Sequence, residues 1–262
     1  MKIINVLNER KCIRIIFDND QRLLVHSLLI EESIYKGKSI TDKRYEELVY
    51  LASITRPFTD ILHFVNRGAY SAEFIYKRLQ KSVKKIDDIR FIITKLKELN
   101  YINDRLHAVT YYEDVSDIRM YGYELVKRNL AHMLYPSKVI ESIEFNEEFE
   151  RAKAINYIKK ISKKLDKIPN ERKKDKAIKH LIARGFYPDL STEVVNEFLL
   201  MNNPEKEFAL LVEKYRAGIK KYSATMEYKD AKTKVCALLL REGYYYFDIL
   251  KVIKLEEEKN AN

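Results

Sequence analysis

At 262 residues, with 46% hydrophobic and 34% charged positions and only 6 Gly and 5 Pro, the chain has room for one or two cored domains or several small helical units in series, and its composition excludes the disordered and collagen-like classes. A formal net charge of +10 makes a polyanion a natural partner, because neutralising phosphates releases condensed counterions; a Lys-, Ile-, Asn- and Tyr-rich composition without Trp is equally what AT-rich coding DNA produces in proteins of every function. Cys12 and Cys236, the only two cysteines, lie too far apart to suggest a zinc site or a disulfide framework and fit a reducing, cytoplasmic compartment.

The first eleven residues reach charge before any apolar run develops, and no stretch of roughly 18 apolar residues follows, so neither export nor a membrane span is expected. Alternation places Ile3, Asn5 and Leu7 on one face of a strand. A polar turn at Asn8-Glu9-Arg10 leads to a second apolar run, Cys12 to Phe17, and the turn residues 17–21 lead to a third at Arg22 to Val25. A small antiparallel β meander is predicted. Ser39 to Asp42 offers N-cap chemistry, and Leu48, Leu51 and Ala52 give Tyr45 to Ile54 helical spacing.

From Phe58 onward the pattern is helical, with joints at Gly68, Pro136, Pro169, Gly185, Pro188, Pro204 and Gly243. Segments 75–93, 125–143, 177–195 and 234–253 share one pattern: a basic amphipathic helix, a small or flexible residue, an apolar residue, then another helix. Aligned anchors Leu79, Leu130, Ile182 and Leu240 lie 51, 52 and 58 residues apart, each followed four residues later by Val83, Leu134, Phe186 or Tyr244. About 50 residues is room for three short helices, a unit too small to bury its own apolar faces, so it stacks on its neighbours. The expected fold is mainly α: tandem three-helix, helix-turn-helix-like repeats forming an elongated curved molecule behind the β meander. The expected segments are 1–55 (meander plus helix), 56–103, 104–150, a strongly basic 151–203, and 204–262.

Leu62 to Ser71 followed by Ile75-Tyr76-Lys77-Arg78-Leu79 resembles the first repeat of the RecX family, in which an apolar helix precedes an Arg-x-x-x-Ser element (here Arg67 and Ser71) and a basic helix. Ile92 to Asp104, with Ala108 beyond it, is similar to that family's boundary between repeats, and Arg119, Gly122, Leu125 and Leu130 sit where its second repeat places Arg, Gly and leucines. The resemblance is strongest over Phe58 to Ile143 and continues over Arg151 to Phe198; the meander resembles the longer versions found in low-GC bacteria. Ser82 and Met133 replace repeat-ending glycines, Asn100 a glycine and Asn103 an acidic residue. The resemblance implies a non-enzymatic, monomeric regulator in DNA repair, recombination and the SOS response. Its partners would be the RecA recombinase filament and single-stranded DNA, with double-stranded DNA a further candidate, and it would damp ATP hydrolysis and strand exchange.

The residues themselves point to the third repeat, where Arg151 to Gly185 holds 13 Lys or Arg against 3 acids. On a helical wheel Lys160, Lys163, Lys164 and Lys167 form an i, i+3, i+4, i+7 stripe opposite Ile155, Ile158, Ser162, Leu165 and Ile168. Such a stripe can follow a phosphate backbone; it is also what a solvated helix face looks like. Arg172, Lys173, Lys174, Lys176, Lys179 and Arg184 extend the field, Lys77, Arg78, Lys81, Lys84 and Lys85 form a similar group in the first repeat, and Lys127 with Arg128 a smaller one. Tyr111-Tyr112 and Tyr244-Tyr245-Tyr246 could stack on unpaired bases or simply pack.

The five histidines His26, His63, His107, His132 and His180 are isolated, and glycine occurs singly, leaving no phosphate loop. The acidic pairs Asp87-Asp88 and Glu147-Glu148 are explained by helix ends. No catalytic residue, metal or cofactor is expected. A general nucleic-acid-binding repeat protein without a recombinase partner is the alternative, and a metal-dependent nuclease assembled in space a third.

Overall fold

A computed structural model describes residues 1–261, so the last residue of the expected segment 204–262 lies outside it. The chain is mainly helical and begins with a three-stranded antiparallel sheet in the order β1 (Ile3–Glu9), β2 (Cys12–Phe17), β3 (Arg22–His26). Both predicted turns form, with Arg10 at φ 55 and Asp20 at φ 62. The expected phase of β1 does not survive, because the register slips between Ile3 and Asn5. That bulge adds one residue, so Ile3 is buried but Val6, not Asn5 or Leu7, faces inward afterwards.

The chain divides into two compact units. Unit 1 comprises Met1–Tyr111 and Asn129–Ile143. Here the sheet packs on α1 (Asp42–Val65), started by Thr41, whose side chain accepts from the Arg44 amide. The helix runs through Pro57 and across the expected 55/56 boundary, because its buried stripe of Leu48, Leu51, Ile54, Phe58, Ile61 and Val65 continues past the proline. Burying each such side chain contributes on the order of 1.5–3 kcal/mol, enough to offset the hydrogen bond that proline removes. Helices α2 (Ala72–Leu79), α3 (Ile86–Glu98), α4 (Asp104–Thr110) and α7 (Ser137–Glu141) also belong to this unit.

Among the described residues, unit 2 comprises Tyr112–Arg128 and residues 144–261. It holds α5 (Ser116–Arg119), the start of α6 (Tyr123–His132), and then α8 (Glu147–Ser162), α9 (Asn170–Ala183) and α10 (Pro188–Phe198). Helices α11 (Pro204–Tyr222), α12 (Tyr228–Arg241) and α13 (Tyr246–Ala261) follow. The expected segment 104–150 is thus divided between the two units.

One corner recurs. The amides of Tyr101, Tyr135, Phe186 and Tyr244 donate to the carbonyls of Leu96, Leu130, Leu181 and Leu239, five residues back. The intervening Asn100, Leu134, Gly185 and Gly243 have positive φ, and each donates to the carbonyl three residues back. This double bond pattern is the Schellman helix end, which also brings the outer pair of side chains together. The anchors are therefore Leu181 and Leu239, both buried, rather than Ile182 and Leu240, which are 40% and 43% exposed. The partner lies at +5 in these corners; the +4 spacing holds in the first repeat, where Val83 donates to Leu79 without a left-handed residue.

Candidate nucleic-acid interface

The third repeat does not present its lysines as one helical stripe. Helix α8 ends at Ser162, Lys163–Leu165 form a 3-10 turn, and Lys167 lies beyond it, two residues before Pro169. A residue before proline is steered away from the helical region, and orphan carbonyls at a helix end tighten readily into a 3-10 turn. Lys160, Lys163, Lys164 and Lys167 are nonetheless all exposed, as are Arg172 and Lys179, with Lys174 and Lys176 half-buried. The turn brings Lys164 beside Lys176, Lys179 and His180 of α9 around a shallow groove of about 430 Å³ floored by Leu165, Ile168 and Ala183. Among the described residues none of these eight cations is engaged in an ion pair. Lys159, off the predicted stripe, is exposed too, with its Nζ 5.9 Å from the centre of the Phe198 ring.

Two predicted cations are removed from this surface. The Lys173 side chain is 0% exposed; its Nζ lies 3.0 Å from Asp166 Oδ1 and 3.5 Å from Asn202 Oδ1. Lys173, with Lys206 beyond it, holds the Asp166 carboxyl below the usual carboxylate range. A buried charge persists only when paired and hydrogen-bonded, so this lysine anchors the 163–169 turn to α9 and cannot reach a phosphate. Arg184 donates from Nη1 to the carbonyls of Arg119 (2.5 Å) and Met120 (3.4 Å), and its guanidinium lies 4.5 Å from the centre of the Tyr157 ring. It ties α9 to the end of α5.

The smaller basic groups are more engaged. Lys77 is paired with Glu73 at 3.8 Å, and Arg78 lies 3.9 Å over Phe64, which stacks on Tyr70 at 4.3 Å between ring centres. Lys81, Lys84 and Lys85 are exposed. Lys127 is 2.6 Å from Glu124, which lifts the ammonium above the usual lysine range, and Arg128 Nε donates to the Glu124 carbonyl at 3.4 Å. Of the candidate stacking rings, Tyr112 and Tyr244 are buried, Tyr111 accepts from Asn129, and only Tyr245 and Tyr246 are exposed.

A second buried lysine escaped the sequence reading. Lys153 and Glu150 have side chains 0% and 2% exposed and pair at 2.6 Å. Lys153 also donates to Ser116 Oγ and the Tyr121 carbonyl, each at 2.9 Å, and sits 4.4 Å from the Phe149 ring centre, while Glu150 Oε2 accepts from the Tyr123 amide. Burial pulls the ammonium below the usual lysine range, against the opposing pull of Glu150. Only the i, i+3 spacing of the pair is visible in sequence. Among the described residues no group of three or more His, Cys, Asp or Glu could hold a metal ion, and no helix is long and apolar enough to cross a membrane.

No protein-family model matches the chain. Full-length relatives do. The protein named regulatory protein RecX in Streptococcus agalactiae serotype Ia is 23% identical over 97% of this chain and 99% of its own length. Its namesake in Lactococcus lactis subsp. cremoris MG1363 is 24% identical over 90% of each. A crystal structure of regulatory protein RecX superposes with a TM-score of 0.57 at 18% identity, covering 74% of this chain and 98% of the other. RecX from Lactobacillus salivarius gives 0.51 at 20% identity over 55% and 96%. Over nearly its whole length the chain is similar to proteins named regulatory protein RecX, and its fold is that of the RecX crystal structures.

The positions that carry the RecX resemblance are architectural. Ser71, fully buried, caps α2 by accepting from the Phe74 amide while its hydroxyl donates to the Met133 carbonyl. Asp104 accepts from the Ala72 amide at that same helix start. Gly122 is required by contact: a Cβ there would stand 2.4 Å from the backbone of Gly185. RecX-type spacing is thus legible because it encodes corners and caps, and the basic surface of α8 and α9 lies outside those positions as the candidate interface.

Proposed function

We propose that this chain is a RecX-family protein that regulates the RecA recombinase by binding its filament on single-stranded DNA and restraining ATP hydrolysis and strand exchange, as a cytoplasmic monomer without catalytic residues or cofactor. The observation that supports the nucleic-acid half of this reading most strongly is the run of exposed, unpaired cations on both sides of the Lys164, Lys176 and Lys179 groove. Each phosphate neutralised there contributes a slope of about −0.7 in log K against log salt on single strands. The recombinase half rests on the family, and the exposed Lys81, Lys84 and Lys85 of the first repeat extend the candidate surface.

Titrating the full chain into RecA hydrolysing ATP on single-stranded DNA tests the reading directly. The expected outcome is a progressive loss of hydrolysis at amounts below one regulator per recombinase. An unchanged rate at excess regulator would remove it. The second reading, nucleic-acid binding without a recombinase, is favoured by the same lysines and would be supported by affinity for naked single or double strands that RecA leaves unaltered.

A further inference from the structure

Unit 2 carries a second concave surface, of opposite charge. A groove of about 600 Å³ is bounded by the start of α9, residues 201–205, α11 and the start of α13. Glu171, Glu205, Glu207 and Asp248 line it against one ammonium, Lys251, which Asp248 holds at 2.9 Å. Met201, Phe208, Leu211 and Tyr244 supply its apolar lining. In a chain of net charge +10, this wall repels phosphate and attracts cations.

Two polar atoms of the lining residues lack a hydrogen-bond partner. Glu207 Oε1 accepts from the Asn170 amide at 2.9 Å, but its Oε2 is shut off from solvent and makes no hydrogen bond. The Tyr244 hydroxyl has none either, on a residue only 5% exposed. Leaving such groups unsatisfied is costly, and a donor that reaches them when the covering side chains shift relieves the cost. Lys214, over the Tyr244 ring at 5.6 Å, is held by Glu242. Exposed Leu200, Tyr246 and Phe247 continue the apolar surface into the residues that flank the groove.

We infer that this groove receives a basic, apolar peptide segment of a partner protein, an arginine or lysine side chain meeting Glu205 and Glu207 and an aliphatic neighbour packing on Met201 and Phe208. The volume is that of an ordinary ligand site, and carboxylates over an apolar floor select a cationic side chain attached to hydrocarbon rather than a nucleic acid.

The test uses the full chain and a fluorescein-labelled (Leu-Arg)₃ peptide, read by anisotropy, with the Leu-citrulline peptide and spermidine as the charge-free and hydrocarbon-poor arms. Saturable binding of the arginine peptide, weakened at least ten-fold in the citrulline peptide and in Glu205→Gln/Glu207→Gln, is expected, with DNA affinity unchanged. The glutamines keep the acceptor facing Asn170, and Glu205→Gln alone serves as a variant at an exposed position. Equal binding by the double variant or by the citrulline peptide would overturn the proposal, as would spermidine binding as tightly as the peptide. Self-association of the chain that the arginine peptide fails to disrupt would overturn it in favour of a second copy. Because RecA hydrolysis and DNA binding are read separately, failure here leaves the regulatory reading intact, and the reverse.

Discussion

The two ends of α8 use lysine in opposite ways. Near its start Lys153 is sealed between Glu150, Ser116 and the Tyr121 carbonyl, joining α8 to the segment that ends α5 and begins α6. Beyond its end Lys163 and Lys164 stand in solvent, and the Lys164 groove takes Lys176 and Lys179 from the next helix. Cationic density along the chain is the same kind of signal in both places. What separates them is whether a carboxylate and carbonyls close around the ammonium, which converts charge into architecture, or nothing does, which leaves it for a polyanion.

Breaking the inner end should have the largest effect. Lys153→Met strands Glu150 without its cation and is expected to cost about 3–5 kcal/mol of folding stability, measured by urea unfolding. Adding Glu150→Gln, which still accepts from Tyr123, should recover part of that loss. An unchanged midpoint for Lys153→Met would dissolve the contrast.

The outer end is tested by exchanging Lys163, Lys164, Lys176 and Lys179 together for Glu. Affinity for single-stranded DNA should fall by roughly 10²–10³-fold at 0.1 M salt, with the salt slope reduced by about 3. Helix content should be unchanged by circular dichroism. Wild-type anisotropy curves at low salt would return these lysines to the status of solvated surface. Extending the reversal to Lys160 and Lys167 should deepen the loss, since both are exposed although no single helix carries them.

A smaller effect is expected where the cation is already engaged. Lys127→Glu, at a residue bound to Glu124, should alter DNA affinity by less than about five-fold, in line with the modest worth of exposed pairs. The smallest is a matter of pH. Asp166 has its folded value lowered by Lys173 and Lys206, so its contribution to stability is present above the unfolded value and lost as pH falls through the folded one. The gap in Tm between wild type and Asp166→Asn should accordingly be steady near neutrality and close below about pH 4. A gap that persists undiminished at pH 2 would contradict the assignment.

Much of the fold could be read from the residues because its corners are spelled locally. Thr41 before Asp42 announces α1, and Gly185 and Gly243 announce left-handed helix ends. Alignment on the first repeat, Leu79 to Val83, puts the anchors one residue late at Ile182 and Leu240, because the later corners close five residues on rather than four. The bulge after Ile3 has no marker among its apolar neighbours, and it alone reversed the phase of β1.

The candidate basic surface is legible in the sequence in outline and not in membership. Exposure is the default fate of a lysine, so Lys160, Lys164 and Lys179 follow from composition alone. Lys173 does not, because the partners that bury it are Asp166, seven residues earlier, and Asn202, twenty-nine later. Arg184 is withdrawn for the same reason, its acceptors lying 64 and 65 residues upstream.

The repeated helix end has a consequence for assembly of the chain. Each such bend is completed by two amide contacts spanning six consecutive residues, so its geometry is settled before any remote segment arrives. Interactions of short sequence separation are those with the least loop-closure entropy to overcome, the condition under which polypeptides reach their native state quickly. A bend of this kind can form on a nascent chain as soon as its last aromatic residue is free to turn back on its leucine.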